Sequence, residues 1–197
     1  MSPKIFALQG REKIRIDMLD AGFDLIKQYG MTHASVEKVT EAVGLGKSTF
    51  YNFFPSKEAF VFEIIKYQRD RAKQSFMDIL GERDKMTASE GKEFLKKIIF
   101  SQDSIYQYLT AADQAKLCNA LTSENELDPA SEAVVMSGLF DHIEGVRQDI
   151  DFKLAANIIK IMAIAMFNQH LLHTDALKQT LERMYGLLFD CVFEEVE

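Results

Sequence analysis

Residues that mark secreted, metal-bound or strand-rich proteins are scarce in this chain. Its 197 residues include no tryptophan, two cysteines, three prolines and ten glycines. Cys118 and Cys191 lie far apart and provide neither a disulfide framework nor a zinc-binding spacing. Because proline and glycine seldom interrupt the chain, long helices are favoured over many short strands.

A long hydrophobic run is also missing. The most apolar stretch, residues 158–167, contains Lys160 and is far shorter than the roughly 20 apolar residues of a membrane-spanning helix. The first ten residues have one lysine and a broken apolar run, unlike a secretory signal. We therefore expect a cytoplasmic protein with no membrane partner.

Charge is distributed unevenly along the chain, whose net charge is −7. Residues 1–57 carry eight basic and six acidic side chains, whereas residues 58–197 carry 15 basic and 24 acidic ones. An acidic protein is not a general binder of polyanions. Its mildly basic first quarter instead indicates a local nucleic-acid surface.

Helical periodicity extends over most of the sequence. Ile14, Met18, Ala21, Leu25 and Tyr29 share one helical face, which predicts a helix of about 20 residues ending at Gly30. Thr87 and Glu90 have the spacing of a capping box. The fold class is therefore all-α, and beyond the first 56 residues we predict helices at 57–80, from Thr87 toward Ser101, 103–110, 112–122, from Pro129 to about Val146, 151–173 and 175–195.

The clearest motif is a pair of short helices joined by a tight turn. Ser35 is positioned to cap the first helix, and the turn is Gly44-Leu45-Gly46. The second helix covers residues 47–53, and Phe50 and Phe54 lie on its inner face. This is the pattern of a helix-turn-helix, whose second helix enters a DNA major groove about 12 Å wide.

Residues 35–60 resemble the DNA-binding signature of the TetR (tetracycline-repressor-type) family of bacterial transcription regulators. The resemblance rests on Ser35, the Gly44-Leu45 turn, the Phe50-Tyr51 pair and Phe54 followed by Ser56-Lys57-Glu58. It implies an N-terminal three-helix helix-turn-helix DNA-binding domain at 1–56. A larger helical effector-binding and dimerisation domain would follow at 57–197, giving about nine helices.

The resemblance also implies which side chains contact DNA. Phosphate contacts fall to Ser35, Tyr51 and Lys57, and base contacts to the exposed face of the second helix. Gly46 and Phe53 depart from the family pattern, because each lacks a polar group usual at its position. The whole predicted DNA-binding set is Ser35, Lys47, Ser48, Thr49, Tyr51, Asn52, Phe53 and Lys57.

Dimerisation is expected through the last two helices. The penultimate helix is apolar nearly all round, so one side could face the core and the other a second subunit. The last helix carries a matching apolar stripe: Leu177, Leu181, Met184, Leu188, Phe189 and Val192. We predict a four-helix bundle across a two-fold axis, although both helices could instead belong only to the core.

The family resemblance further implies a small-molecule effector. Methionine and aromatic side chains adapt to large apolar ligands, so we expect an apolar or amphipathic compound. The same residues could be ordinary core. The candidate pocket residues are Phe94, Ile98, Tyr106, Tyr108, Cys118, Met136, Phe140, Met162 and Met166.

Other functions receive little support from the sequence. His170 and His173 could share a metal only with a third ligand such as Asp175 or His142, so we predict no metal and no cofactor. No hydrolase or phosphate-loop motif has the required spacing, and we predict that the protein is not an enzyme. The remaining alternative is a helical ligand-sensing or protein-interaction module that no longer reads DNA sequence.

Overall fold

The computed structural model describes residues 3–100, 105–120 and 137–194, and this part of the chain is helical without a β-strand. The all-α prediction is confirmed. The expected helix start at Asp128–Pro129 lies outside the described residues. The helices are α1 (Pro3–His33), α2 (Val36–Ala42), α3 (Lys47–Tyr51), α4 (Lys57–Leu80), α5 (Ala88–Phe100), a 3₁₀-helix (Ile105–Tyr108), α6 (Ala111–Ala120), α7 (Phe152–Phe167), a second 3₁₀-helix (Gln169–Leu171) and α8 (Thr174–Val192).

The chain forms two compact units. The first contains residues 1–70 and 108–124, and the second contains residues 71–107 and 125–197, each as far as it is described. The boundary after Ser56 is drawn by function, between a DNA-binding domain and an effector-binding and dimerisation domain. This boundary stays a prediction.

The first unit is built around α1. Its buried face contains Met18, Leu19, Phe23 and Ile26, whereas the sequence predicted a stripe that ended at Tyr29. Tyr29 is 45% exposed. Both stripes have helical spacing and differ by a rotation of the helix, so only its packing against other helices could distinguish them. The helix also begins earlier than expected and continues for one turn beyond Gly30, whose φ of 76° interrupts it.

An aromatic cluster attaches α3 to α4. The rings of Phe50, Phe54 and Phe60 have centroid separations of 4.8 to 5.2 Å, and all three are buried. Phe53 N and Phe54 N both donate to the Phe50 carbonyl, so α3 ends at Tyr51 rather than at the predicted Phe53. These turn bonds direct the Phe54 ring back into the cluster.

The Ser35 cap and the turn of the helix-turn-helix are as predicted, and Ser56 caps α4 as well. Ser35 Oγ accepts a hydrogen bond from Lys38 N at 3.3 Å, and Ser56 Oγ accepts one from Ala59 N at 3.0 Å. Gly44 has a φ of 68°, a conformation that disfavours side chains with a Cβ. Leu45 N donates to Thr40 O at 2.8 Å, which holds the turn close to the end of α2.

The core of the second unit lies between α5, α7 and α8. It includes Phe94, Phe140, Met162 and Leu188. On α8 the buried residues are Leu177, Leu181, Tyr185, Leu188 and Val192, so the predicted stripe is largely right, but Met184 and Phe189 are only half-buried.

The prediction of a helix that continues to about Val146 is wrong beyond residue 140, where the helix ends. Residues 141–147 are turns, in which Met86 N donates to His142 O and Glu144 N donates to Met86 O, both at 2.9 Å. Ile143 is buried and packs against Gly91, where a Cβ would overlap with it. Burial of Ile143 thus overrides local helical preference.

Two other helices are shorter than predicted. The expected helix over 151–173 ends at Phe167, because Asn168 caps it and a 3₁₀-helix follows. The expected helix over 103–110 contains a 3₁₀-helix of four residues.

Gly22 sets how closely α1 approaches α4. A Cβ at this position would overlap with the Phe60 ring, whereas Gly10, in the same helix, has no neighbour within 4 Å. We expect Gly22→Ala to lower the free energy of unfolding by about 1–3 kcal/mol through overpacking. Gly10→Ala should leave it unchanged or raise it by about 0.5–1 kcal/mol. Urea titrations would measure both, and equal effects would contradict this account.

Glu90 makes the second unit sensitive to acid. Its carboxylate accepts hydrogen bonds from the Arg83 guanidinium and from Thr87 N, and these lower its pKa from 4.5 to about 2. Because the folded pKa is the lower one, the stabilisation is present above pH 4.5 and is lost as the pH falls through about 2.

Glu90→Gln should therefore lower the thermal midpoint at pH 6 and flatten its decline between pH 4.5 and 2. Glu93→Gln removes an exposed carboxylate on α5 and is the matched control. If both variants keep the acid dependence of the wild-type protein, Glu90 is not its source.

Candidate nucleic-acid interface

The helix α3 has one buried face and one polar, exposed face. Phe50 is fully buried, and Tyr51 beside it is 48% exposed. Lys47, Ser48 and Asn52 are exposed, and Thr49 is half-buried. Five of the predicted DNA-contacting residues are thus brought together on one short helix and its C-cap. A surface of this kind offers amine, hydroxyl and amide groups to base edges.

Lys47 has an ionic partner that sequence reasoning missed. Its ammonium forms a salt bridge with Glu37 of α2. The hydrogen bond with Glu37 raises the pKa of Lys47, and the same bond lowers the pKa of Glu37. The two residues are ten positions apart, so no helical spacing could have paired them. A carboxylate therefore lies at the start of the exposed face of α3.

Lys57 is held against the end of α1 by a neutral oxygen atom. Its Nζ donates to Thr32 O at 3.2 Å. Partial burial lowers the pKa of Lys57, against the opposing attraction of Glu58 and Asp113. The predicted phosphate-contacting group is thus fixed in place without a carboxylate bonded to it.

Thr32 also connects this lysine to α6. Thr32 Oγ1 donates to Asp113 Oδ1 at 3.2 Å, and Thr110 Oγ1 donates to Asp113 Oδ2 at 2.7 Å. Asp113 is buried. No local pattern predicts this network, since Thr32 and Asp113 are 81 residues apart. One buried carboxylate therefore joins the start of α6 to the end of α1.

Ser35 and Lys38 lie at the start of α2. Ser35 is half-buried and caps the helix, as predicted. Lys38 Nζ donates to His33 O at 3.2 Å and lies 4.5 Å from the centroid of the Tyr29 ring. Like Lys57, this cation is held by a backbone oxygen atom and an uncharged neighbour.

Phe53 lies beneath an arginine of α1. The guanidinium carbon of Arg11 is 4.5 Å from the centroid of the Phe53 ring. Arg11 Nη2 also donates to Asn52 O at 3.0 Å. Phe53 and Asn52 are among the predicted DNA-contacting residues, whereas Arg11, which lies 41 residues before Asn52, is not. The structure therefore adds a cation to the end of the predicted surface.

The predicted pocket residues are divided between the two units as far as they are described, and the pocket stays a prediction. Phe94, Phe140 and Met162 are buried in the core of the second unit, and Ile98 and Met166 pack against it. Tyr108 belongs to the first unit, where its ring meets that of Phe23 edge-on at 6.2 Å. The side chains of Tyr106 and Cys118, and all of Met136, lie outside the described part of the chain.

The helices α7 and α8 leave large apolar side chains on the surface. Leu154, Ile161 and Ile164 of α7 and Leu187 of α8 are each about half exposed. The positions 154, 161 and 164 recur at helical spacing, so they share one face of α7.

His170, His173 and Asp175 are exposed near the turn between α7 and α8. In the ranges that the structure describes, no three His, Cys, Asp or Glu side chains are grouped so that they could hold a metal ion. No described helix combines the length and hydropathy that crossing a membrane requires.

Comparison with known proteins gives consistent results. Residues 18–64 match the family model of bacterial regulatory proteins of the tetR family. The chain is 21% identical over 136 residues to YuxN, an uncharacterized HTH-type transcriptional regulator of Bacillus subtilis (strain 168). The matched part is 69% of this chain, which spans only 45% of the length of YuxN.

Solved structures share the fold at low sequence identity. One, from work on the control of antibiotic production by a bacterial hormone, is 20% identical, with a TM-score of 0.60 over 92% of this chain and 98% of its own. A TetR-family regulator from Rhodococcus sp. is 14% identical, with a TM-score of 0.59 over 91% and 98%. FadR, the fatty acid degradation regulator from Bacillus halodurans, is 20% identical, with a TM-score of 0.55 over 88% and 93%.

These likenesses agree with the capped α2, the glycine turn and the aromatic anchor of α3. The helix-turn-helix of this chain is thus similar to that of the TetR family of bacterial regulatory proteins, whose family model it matches over residues 18–64.

Proposed function

We propose that the protein is a ligand-responsive repressor that acts in the cytoplasm, binds a palindromic DNA operator as a homodimer and is released by a small apolar or amphipathic effector. It is a regulator rather than an enzyme. The observation that carries the proposal is the exposed polar face of α3, which is fixed to α4 through the buried rings of Phe50, Phe54 and Phe60.

The proposed contacts to DNA divide into two kinds. Ser48, Thr49 and Asn52, with Lys47, are the groups that would meet base edges in the major groove. Ser35, Tyr51 and Lys57 would meet phosphates, which supply affinity without sequence information. Lys47 would contact DNA either together with Glu37 or after their ion pair opens, and the carboxylate would disfavour a nearby phosphate.

The proposed dimer uses α7 and α8. Their exposed leucine and isoleucine side chains would be removed from water against the same face of a second copy. Such burial contributes about 25 cal/mol per Å² of apolar surface. Two recognition helices related by a two-fold axis would then read half-sites about 34–36 Å apart.

The effector would bind among the helices of the second unit. Phe94, Phe140 and Met162 lie together in its core, and aromatic and methionine side chains suit an apolar ligand. Binding would favour a state in which α4 pivots and the half-site spacing is lost. The effector shifts this equilibrium only by its differential affinity for the two states, typically about 1–3 kcal/mol.

A module that no longer reads DNA sequence is the second candidate function. Two observations favour it: the N-cap of α3 is Gly46, which provides no side-chain hydrogen bond, and Lys47 is neutralised by Glu37. The experiment below distinguishes the two functions.

Selection from a randomised duplex pool should enrich a palindromic sequence. Affinity for this duplex should fall steeply with salt, because each phosphate contact contributes a slope of about −0.9 in log K against log salt. Asn52→Ala should relax selectivity at one position of each half-site, at a cost of about 1–3 kcal/mol. Band-shift titrations at 50 and 200 mM KCl would measure both effects.

Glu41→Ala, an exposed change on α2 outside the proposed contacts, is the control variant. If folded, dimeric protein enriches no sequence even after unfolding and refolding have removed any bound ligand, the sensing module is supported instead.

Charges on the exposed face of α7 should separate the subunits. We expect Ile161→Glu combined with Ile164→Glu to give a folded monomer, because two buried carboxylates from each subunit would oppose their copies across the two-fold axis. Sedimentation velocity would measure the change. Met77→Glu, at another exposed apolar position, on α4, should remain dimeric. A double variant that stays dimeric would rule out this face as the interface.

A further inference from the structure

We propose that Arg11 is a phosphate-binding residue, held at the end of α3 by the Phe53 ring and the Asn52 carbonyl. This inference rests on the proposed DNA-binding function and adds a contact that the helix-turn-helix motif does not contain.

The contacts of Arg11 leave most of its hydrogen-bonding capacity available. A guanidinium has five N–H donors in one plane. Nη2 donates to Asn52 O at 3.0 Å, while the guanidinium carbon lies 4.5 Å from the centroid of the Phe53 ring. A contact with an aromatic ring uses none of the N–H donors as a hydrogen bond to oxygen. Arg11 is exposed, so the remaining donors are available to an oxygen anion from outside the protein.

The groups that bind Arg11 do not compensate its positive charge. Lys13, Arg15 and Lys47 in the same unit are each paired with a carboxylate. Within the described residues Arg11 has no such partner, and its neighbours are a carbonyl oxygen and a ring. A cation held by neutral groups keeps its full attraction for a phosphate and loses little side-chain entropy when the phosphate binds.

The position of Arg11 suits the DNA backbone better than the bases. Lys47, Ser48 and Thr49 in the first turn of α3 would enter the groove. Asn52 would reach a base only with its side-chain amide, whereas Arg11 binds its backbone oxygen atom, beyond the end of the helix. Five helical residues span about 7.5 Å, and a major groove is about 12 Å wide. Arg11 lies about one length of α3 away from the residues that would enter the groove. We therefore expect it to lie near the row of phosphates at the edge of the groove.

This arrangement gives Phe53 a role that its own chemistry does not provide. The Phe53 side chain has no polar atom that could bind DNA, but its ring orients the Arg11 guanidinium, which has several. Arg11 and Phe53 together thus form a single contact, which we call the Arg11–Phe53 pair.

The salt dependence of binding tests the pair. The duplex selected above and an unrelated duplex of equal length would be titrated at 50, 100 and 200 mM KCl. Each dimer carries two copies of Arg11, so Arg11→Ala should reduce the slope by about 1.8. Between 50 and 200 mM the wild-type protein should then lose about tenfold more affinity than the variant. The loss should be the same for both duplexes, since phosphates carry no sequence information.

Lys13→Ala is the matched control. Lys13 is an exposed cation of α1, paired with Asp17 at 3.2 Å, and its removal should leave the slope unchanged. Phe53→Leu tests the ring: it should weaken binding in the wild-type background and have no further effect in Arg11→Ala. Circular dichroism of each variant would establish that it is folded.

The outcomes separate this inference from the proposed function. If the wild-type protein selects a sequence but Arg11→Ala keeps the wild-type slope, the inference is overturned and the proposed function stands. A loss confined to the selected duplex would also overturn it, because Arg11 would then read a base. If the wild-type protein binds neither duplex, both fail together.

Discussion

The packing of three phenylalanine rings is the constraint on which the candidate DNA-binding surface depends. Helix α3 has only five residues, far fewer than an isolated helix needs to be stable in water. Its position is therefore set by Phe50 and Phe54, which are buried against Phe60 of α4. Gly22 of α1 leaves the space that the Phe60 ring fills. Every exposed group of α3 takes its direction from this cluster.

The cations around α3 differ in the groups that bind them. Lys47 faces Glu37, whereas Arg11, Lys38 and Lys57 rest on backbone carbonyl oxygens. A cation bound to a carbonyl keeps its charge for an external anion, and a cation bound to a carboxylate must share it. The small net charge of the first quarter of the chain therefore conceals how unevenly positive charge is available on its surface.

The second unit combines an apolar core with an apolar outer face. Tyr185 is buried among these side chains and donates its hydroxyl hydrogen to Lys96 O at 3.3 Å, and burial raises the pKa of Tyr185. Outside the core, Ile161 and Ile164 remain exposed on α7. A helix that is apolar on both sides can serve an internal core and a second subunit at once, which is how the proposed dimer uses it.

The sequence by itself determined the local features of this protein. Ser35, the Gly44 turn, Phe50 with Phe54 and the Thr87–Glu90 capping box could all be read correctly, because caps, turns and helical faces depend on residues within one or two turns of each other. Tertiary structure alone decided the rest. It rotated the buried face of α1, ended the helix before Ile143, paired Glu37 with Lys47, and placed Arg11 over Phe53 and Asp113 beside Thr32. These features join residues 10 to 81 positions apart. No local pattern encodes such contacts, since they follow from how whole helices pack.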